Sequence, residues 1–314
     1  MINLAPSRKT LVLGTALWGW GIERKDAYEL LELFFENGGT IVDTAINYPI
    51  SSRKEDFGLA IKWLADWRAL HPQFKFSLIV KVGAVDNIGS SDVDLSSRSI
   101  TNTTSRLRDE FGDSLACISI HWDNRGGDVS DYYLIEQTVD AMSKIEISNL
   151  SIGMSGIRFP ELYYRANPSL SEKWIIQVKE NFATSSAREA YHTFFPQAKY
   201  LAYGINLGGL KIEPSKNYSS IELRKICVPQ ALVNTLSEFI STNRSFQPSP
   251  TTLNELALAV SHANPWIAGV IIGPRNATQL ISTLSYWDKL EQQVDRVKNF
   301  ESLNILAKAI IENN

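Results

Sequence analysis

The chain lacks most of the features that mark secreted, membrane-bound or nucleic-acid-binding proteins. Its 314 residues include only 2 cysteines, Cys117 and Cys227. Each lies in an apolar stretch, so we expect two buried free thiols and neither a disulfide framework nor a metal site. No apolar run approaches the roughly 18 residues that a membrane span requires, and the first residues lack the apolar segment of a secretory signal. A net charge of −3 offers no basic surface to nucleic acid or to an anionic membrane.

Histidines and glycine-rich motifs are scarce as well. The 4 histidines show no metal-ligand spacing with one another or with the cysteines, so we expect no bound metal. Neither a G-x-G-x-x-G fingerprint nor a P-loop occurs, which argues against Rossmann and P-loop nucleotide sites. What is present is a hydrophobic content of 44% and a charged content of 21%, typical of a globular protein with a sizeable core. We therefore expect a cytoplasmic protein that binds neither nucleic acid nor a membrane.

Eight short apolar runs alternate with segments of helical periodicity along the chain, one of which spans residues 55–69. Most of the runs are continuously apolar, which is typical of strands buried on both faces of a parallel sheet. Eight such units in succession predict a (β/α)8 TIM barrel. Because no linker or low-complexity segment interrupts them, we expect one domain over residues 1–314. The predicted strands are residues 10–13, 40–43, 76–81, 116–121, 150–154, 174–178, 200–203 and 267–272.

Two segments depart from a minimal barrel. Residues 204–250, after the seventh strand, are far longer than a usual barrel connection and contain a helical pattern at residues 230–241. Long loops at the carboxyl ends of barrel strands usually shape a substrate pocket, although a disordered surface insertion is the alternative. The tail, residues 287–314, has a helical pattern that fits either the last barrel helix or an added C-terminal helix.

Four polar side chains lie at or just beyond the ends of three consecutive predicted strands. In a parallel barrel the carboxyl ends of all strands open on one face, so these side chains are expected to meet there. An acid, a phenol, an amine and an imidazole held together can move protons. The alternative is a buried acid–amine pair with a tyrosine and a histidine that serve only the core. The four residues are Asp43 and Tyr48 in VDTAINYP, Lys81 in IVKVG and His121 in ISIHWD.

The chemistry of these four side chains suits the reduction of a carbonyl group. Hydride addition to a carbonyl creates an alkoxide that needs a proton, and Tyr48 can deliver it. A phenol has an ordinary pKa of about 10, and a neighbouring Lys81 ammonium would favour its ionisation. Lys81 near the barrel core would need a counter-charge, which Asp43 provides. His121 would hydrogen-bond the carbonyl oxygen and orient it.

The order and spacing of these motifs resemble the aldo-keto reductase superfamily, whose members carry an Asp, a Tyr, a Lys and a His at these places on a (β/α)8 barrel. The resemblance extends over nearly the whole chain. It includes the first strand and its loop (LVLGTALWG), the segments at strands five to seven (IGMSG, IIQVKEN and YLAYGINLGGL) and the segment after strand eight (IIGPRNATQL). Similarity to this superfamily implies the reduction of aldehydes or ketones.

The resemblance also implies a nicotinamide dinucleotide bound with its nicotinamide over the barrel mouth. By position, Ser155 and Gln177 would hold the carboxamide, and Tyr203 would stack on the nicotinamide ring. The residues that would face the adenosine phosphate are Gly273, Arg275 and Gln279.

Some positions depart from the superfamily pattern. Gly156 stands where an Asn is common, so one amide contact is expected to be missing or replaced, and Thr283 stands where an adenine-contacting Asn often occurs. No lysine lies near Gly273 to meet a 2′-phosphate. The Arg275 guanidinium can bind phosphate bidentately instead. We therefore expect NADP, in its reduced form NADPH, as the cofactor, with NAD as the alternative.

Three tryptophans are expected to border the mouth of the barrel. Indoles near a catalytic site often form the walls of an apolar or sugar-binding substrate pocket, and the alternative for each is simple packing in the core. They are Trp18, Trp20 and Trp122.

The leading interpretation is an NADP-dependent reductase of a small-molecule aldehyde or ketone. Two other functions would use the same barrel. One is a regulatory module that binds the cofactor and turns over slowly, and the other is an NAD-dependent sugar dehydrogenase.

Overall fold

The protein folds into a closed barrel of eight parallel strands, which confirms the predicted (β/α)8 TIM fold. The computed structural model describes residues 2, 4, 9–182, 184–210, 228–242, 246–293, 301–303, 305–307 and 310. The strands pair in chain order, and the last strand closes the barrel by pairing with the first. They are β1 (Thr10–Gly14), β2 (Ile41–Ala45), β3 (Ser77–Val82), β4 (Leu115–Ile120), β5 (Ser151–Ser155), β6 (Trp174–Lys179), β7 (Lys199–Tyr203) and β8 (Ile267–Ile272).

Helices follow each strand and cover the outside of the barrel. In the described residues each of the first six strands is followed by one α-helix, and β7 is followed by two before β8 begins. The α-helices in the described residues are α1 (Arg24–Glu36), α2 (Leu59–Leu70), α3 (Ser97–Phe111), α4 (Val129–Ile147), α5 (Pro160–Ala166), α6 (Ser186–His192), α7 (Gln230–Thr242), α8 (Leu253–Ala263) and α9 (Ala277–Glu291). Three short 3-10 turns lie at Lys54–Asp56, Gly112–Ser114 and Pro168–Leu170.

Successive side chains along each strand point alternately into the barrel interior and into the layer beneath the helices. On β3, Leu78 and Val80 pack outward in the large cluster under the helices, whereas Ile79 points inward. Lys81 follows Ile79 by two residues and therefore also points inward. The interior cluster is apolar and consists of Ile2, Leu4, Val12, Ile41, Ile79, Ala116, Cys117, Ile175 and Leu201.

The interior changes from apolar to polar toward the carboxyl ends of the strands. On β2 and β6, Ile41 and Ile175 of the apolar cluster are each followed two residues later by a polar residue, Asp43 or Gln177. Ile2 and Leu4 belong to the same apolar cluster although they precede β1. The barrel is therefore filled with apolar side chains below, and its polar groups gather at the mouth.

The structure corrects one predicted helix and several strand ends. The helical pattern around residues 55–69 is interrupted at Gly58, whose φ of 75° is left-handed, so α2 begins only at Leu59. A Cβ at that position would lie 3.2 Å from the Ile46 carbonyl oxygen, which favours glycine there. The fourth strand ends at Ile120, one residue earlier than predicted, so His121 is the first residue of the loop.

The long insertion and the tail are described in part. The helix predicted at residues 230–241 is confirmed as α7 (Gln230–Thr242). Residues 211–227, which include Cys227, and residues 243–245 lie outside the described residues. In the tail, α9 extends past Trp287 to Glu291, and residues 301–303 and 305–307 are helical.

The structure tests some of the remaining predictions that were made from composition. Cys117 is a buried free thiol in the barrel interior, and burial raises its pKa well above the ordinary value. No helix in the described ranges is long and apolar enough to cross a membrane. Within the same ranges no group of three or more histidine, cysteine, aspartate or glutamate residues could hold a metal ion. The cytoplasmic location, the single domain and the absence of a metal stay predictions.

Candidate active site

The mouth of the barrel contains a buried ion pair between the ends of β2 and β3. Asp43 and Lys81 are each 3% exposed, and the Lys81 ammonium donates a hydrogen bond to Asp43 Oδ2. From β6, Gln177 Nε2 donates to Asp43 Oδ1 at 2.6 Å. Both carboxylate oxygens therefore have a donor, which meets the requirement for burying a carboxylate.

Lys81 is a charged ammonium despite its burial. Burial lowers its pKa, but Asp43 and Tyr48 raise it, and the resulting pKa lies above the ordinary value of a lysine. The Lys81 nitrogen lies 4.9 Å from the centre of the Tyr48 ring. The structure thus brings together the acid, the amine and the phenol that the sequence predicted would meet.

Tyr48 is half-buried at the start of the loop after β2. The backbone N–H of Tyr48 donates to the Ala45 carbonyl, and its own carbonyl accepts from Ala60 at the start of α2. Burial raises the pKa of the phenol, Lys81 lowers it and Asp43 raises it, with a net pKa above 10. Lys81 therefore acts in the expected direction, but burial outweighs it, and the phenol is protonated near neutral pH.

His121 lies beside Tyr48 as a neutral imidazole. The rings of Tyr48 and His121 meet edge to face with centres 5.3 Å apart, and the centre of the Trp122 ring lies 4.3 Å from that of His121. Burial, and then the charge of Lys81, lower the pKa of His121 well below its ordinary value. His121 Nδ1 lies 3.1 Å from Oδ1 of Asn47.

Two buried asparagines that the sequence analysis missed hold the site together. Asn47 Nδ2 donates to the Asp86 carbonyl at 2.8 Å. Asn87 Nδ2 donates to the carbonyls of Pro49 and Arg53 at 3.2 and 2.6 Å. These bonds tie the loop that carries Tyr48 to the loop after β3. The only signal in the sequence was the proximity of both asparagines to the predicted site, since a buried asparagine cannot be told from an exposed one by residue type alone.

The predicted carboxamide-binding residues lie at the carboxyl ends of β5, β6 and β7. Ser155 is buried and is the last residue of β5. Gln177 is engaged with Asp43, and the half-buried Tyr203 ends β7. Gly156 has a φ of 54°, and a Cβ there would lie 3.0 Å from Cβ of Trp122. A side chain at position 156 would therefore crowd Trp122, which favours glycine there.

The residues predicted to face the adenosine phosphate gather between β8 and α9. A Cβ on Gly273 would meet nothing within 4 Å, so this backbone borders open space. Arg275 reaches the Gly21 carbonyl in the loop after β1 at 3.4 Å, a long contact. The side chain of Gln279 accepts a hydrogen bond from the Arg275 backbone N–H at 2.9 Å. Gln279 thus stabilises the loop as well as standing at the predicted position.

Two more asparagines lie on the same side of the mouth. Asn254 on α8 donates to the hydroxyl of Thr283 on α9 at 3.2 Å. Asn206, in the loop after β7, contacts Asn254 at 3.5 Å and has a buried Oδ1 without a partner in the described residues. An asparagine therefore lies next to the position where the sequence analysis noted that one was missing.

The three tryptophans occupy different environments. Trp18 has no exposed surface and packs in the large apolar cluster, so it is a core residue and the prediction that it lines the substrate pocket is wrong. Trp20 and Trp122 are half-buried. In the loop after β1 a short bridge joins Trp18 to Ile22, and both side chains pack in the large apolar cluster under the helices.

The geometry defines a TIM barrel whose mouth holds a buried ion pair, a protonated tyrosine and a neutral histidine. The Aldo/keto reductase family model matches residues 10–182, more than half of the chain, and the chain belongs to this family. Membership makes the protein an oxidoreductase and implies NADPH-dependent carbonyl reduction in general. The chain is also 32% identical over 76 residues to an uncharacterized 11.2 kDa protein from the crtE 3′ region of Pseudescherichia vulneris. That match covers 24% of this chain and 74% of the relative.

Proposed function

We propose that this protein is an NADP-dependent reductase that converts a small-molecule aldehyde or ketone to an alcohol, reversibly, with Tyr48 as the proton donor. The observation that carries the proposal is the position of the Lys81 ammonium, 4.9 Å from the Tyr48 ring and paired with buried Asp43. A core that needed only stability would gain as much from apolar residues of similar volume.

Tyr48 supplies the proton as the carbonyl oxygen gains negative charge. Its O–H donates to that oxygen, the O–H bond breaks, and the proton ends on the alcohol while a phenolate remains. Because the pKa of Tyr48 is raised, the phenol keeps its proton until the substrate oxygen becomes strongly basic. The nearby Lys81 ammonium then stabilises the phenolate, and Asp43 holds the ammonium in place.

The mouth has groups that fit a nicotinamide dinucleotide. The Asn206 amide oxygen is buried without a partner in the described ranges, and Gly273 borders open space. Ser155, Gln177 and Tyr203 would hold the nicotinamide end. When bound, this cofactor supplies the hydride that reduces the carbonyl carbon.

NADP is proposed over NAD because of Arg275. Arg275 is half-buried, and within the described residues its guanidinium makes one long contact, to Gly21, so it can turn to a 2′-phosphate at small cost. Gly273 and Gln279 would complete this end of the site. The described residues around Gly273 include no lysine that would share the role.

Steady-state oxidation of NADPH and NADH with a panel of aldehydes, ketones and keto-sugars tests the proposal. We expect turnover with NADPH that depends on the carbonyl compound, and slower turnover with NADH. Cofactor binding without turnover of any compound would indicate the regulatory module instead. Faster oxidation of sugars with NAD than reduction with NADPH would indicate the sugar dehydrogenase.

A further inference from the structure

The loop after β3 folds into a short hairpin, residues 83–94, at the mouth of the barrel. A bridge joins Ala84 to Val93 across the hairpin. The Asp94 backbone N–H donates a hydrogen bond to the Gly83 carbonyl at 2.8 Å. These contacts fix the two sides of the hairpin to each other.

The first side of the hairpin is bound to the residues before and after Tyr48. Asn47 Nδ2 donates to the Asp86 carbonyl at 2.8 Å, and Asn87 Nδ2 donates to the Pro49 carbonyl at 3.2 Å. The two asparagines are 0% and 1% exposed, so water does not compete for these bonds. Because residues 47 and 49 are the immediate neighbours of the proposed proton donor, the bonds hold the hairpin beside it.

Two exposed apolar side chains, Val85 and Ile88, flank this bonded segment. Val85 is 50% exposed and Ile88 is 45% exposed, and neither belongs to an apolar cluster of the described residues. Asp86 Oδ1 accepts from the Ile88 backbone N–H at 3.1 Å, so the backbone at Ile88 is fixed as well. Single exposed apolar residues are ordinary on a protein surface. These two differ because each lies one residue from a hydrogen bond to the loop that carries Tyr48.

The charged side chains of the hairpin are all of one sign. The hairpin has no basic residue, and its three carboxylates are Asp86, Asp92 and Asp94. Arg53, whose carbonyl also accepts from Asn87, has its guanidinium paired with Asp56 at 2.7 Å. The carboxylates repel an anionic group that approaches them, whereas a neutral chain meets no such repulsion. A ligand chain on the hairpin is therefore expected to be uncharged.

We propose that Val85 and Ile88 form the binding surface for an uncharged apolar chain of the substrate, which makes alkyl aldehydes and ketones the substrate class. The proposal rests on the proposed carbonyl reduction, in which Tyr48 donates to the carbonyl oxygen. A chain attached to that carbonyl group passes onto the hairpin beside Tyr48 and covers both side chains. Covering them removes apolar surface from water on both partners, and this favours long-chain over short-chain substrates.

The dependence of kcat/KM on chain length tests the proposal. Each methylene that is fully removed from water is worth up to about fourfold in binding. A chain on an open hairpin is covered on one side, so kcat/KM for hexanal should exceed that for propanal by about tenfold. Equal values for the two aldehydes would overturn the proposal.

A double variant tests the assignment to these two side chains. Val85→Thr with Ile88→Thr keeps both positions β-branched and makes the surface more polar. It should lose most of the preference for hexanal over propanal, and an unchanged ratio would show that the chain lies elsewhere. Ile147→Thr is the matched control, because Ile147 is 74% exposed but ends α4, where the chain returns to the start of β5. The control should keep the wild-type ratio.

A change of charge at position 88 should alter the preference in a way that a loss of stability cannot. 6-Oxohexanoate carries a carboxylate at the end of the chain of hexanal, and the wild-type protein should reduce it more slowly. Ile88→Lys should raise kcat/KM for 6-oxohexanoate relative to hexanal by about two- to fivefold, the effect of one exposed ion pair. A ratio no higher than that of the wild-type protein would contradict a chain that lies on Ile88.

Binding of the chain can also be measured without turnover. In protein with 13C-labelled isoleucine and valine methyl groups, the Val85 and Ile88 signals are assigned by their loss in the double variant. With NADP present, these signals should shift at lower concentrations of hexan-1-ol than of propan-1-ol, while the Ile147 signal stays in place. No shift at either residue would overturn the proposal. Failure of the proposed function is a different result, because then neither aldehyde is reduced while the methyl signals still report binding.

Discussion

Replacing Lys81 by methionine should affect stability and turnover by separate, calculable amounts. The change leaves Asp43 buried, at 3% exposure, with Gln177 as its remaining donor. Removing one partner of a buried ion pair typically costs about 3–5 kcal/mol of folding free energy. The loss for turnover follows from the distance between the ammonium and the Tyr48 ring, 4.9 Å. At an effective dielectric constant of about 20, a positive charge that far from a phenolate stabilises it by roughly 3 kcal/mol, or about 10²–10³ in rate.

The two effects can be separated by a control and a double variant. Lys144→Met is the control, because Lys144 forms an exposed pair with Asp140 on α4. Removing such a pair should change the unfolding free energy by less than about 1 kcal/mol. The double variant Asp43→Asn with Lys81→Met removes the unpaired carboxylate, so it should recover stability in urea unfolding but not kcat. The reasoning is refuted if Lys81→Met unfolds and turns over as Lys144→Met does.

Three further predictions concern single groups around the mouth. Asn87→Ala removes the bonds to the Pro49 and Arg53 carbonyls, and urea unfolding should show a loss of about 1–3 kcal/mol together with a lower kcat, since the loop that carries Tyr48 is released; an unchanged kcat would mean that the loop keeps its position without Asn87. The pKa of His121 is lowered in the folded protein, so its contribution to stability is complete above about pH 6.5 and is lost as pH falls, by up to about 1.4 kcal/mol per pH unit. The unfolding free energy should therefore fall less steeply between pH 7 and pH 5 in His121→Gln than in the wild type. An equal pH dependence in both proteins would show that His121 is not buried as a neutral base. Arg275→Ala should weaken NADPH binding about ten- to a hundredfold in a fluorescence titration while barely changing NADH binding, and equal losses for both would place Arg275 on the adenine or the pyrophosphate.

The sequence predicted the barrel because its strands have a simple physical signature. A parallel strand buried on both faces is typically continuously apolar, and all eight predicted runs became strands, seven with an end shifted by one or two residues and β8 as predicted. Convergence of the strand ends then placed Asp43 and Lys81 together without any knowledge of the loops. The break before α2 was missed because the helical period continues through Gly58, and only the left-handed backbone there reveals the interruption.

The parts of the site that the sequence missed depend on contacts between loops. Asn47 and Asn87 donate hydrogen bonds to backbone carbonyls. Because every residue has a backbone carbonyl, no pattern of residue types predicts these bonds. Trp18 was misassigned because residue type and position near a strand end do not determine the direction of a side chain in an irregular loop. The direction of the Tyr48 pKa shift could not be predicted from the sequence either, because burial and Asp43 raise this pKa while Lys81 lowers it.

The most direct test of the central claim is the turnover of Tyr48→Phe, measured beside its affinity for NADPH. The phenol oxygen is the only atom removed, and the ring that packs beside Lys81 and His121 remains. If Tyr48 is the proton donor, kcat for a reducible aldehyde should fall by about 10²–10⁴ while the dissociation constant of NADPH stays within about twofold. A kcat close to that of the wild-type protein would show that the proton comes from another group.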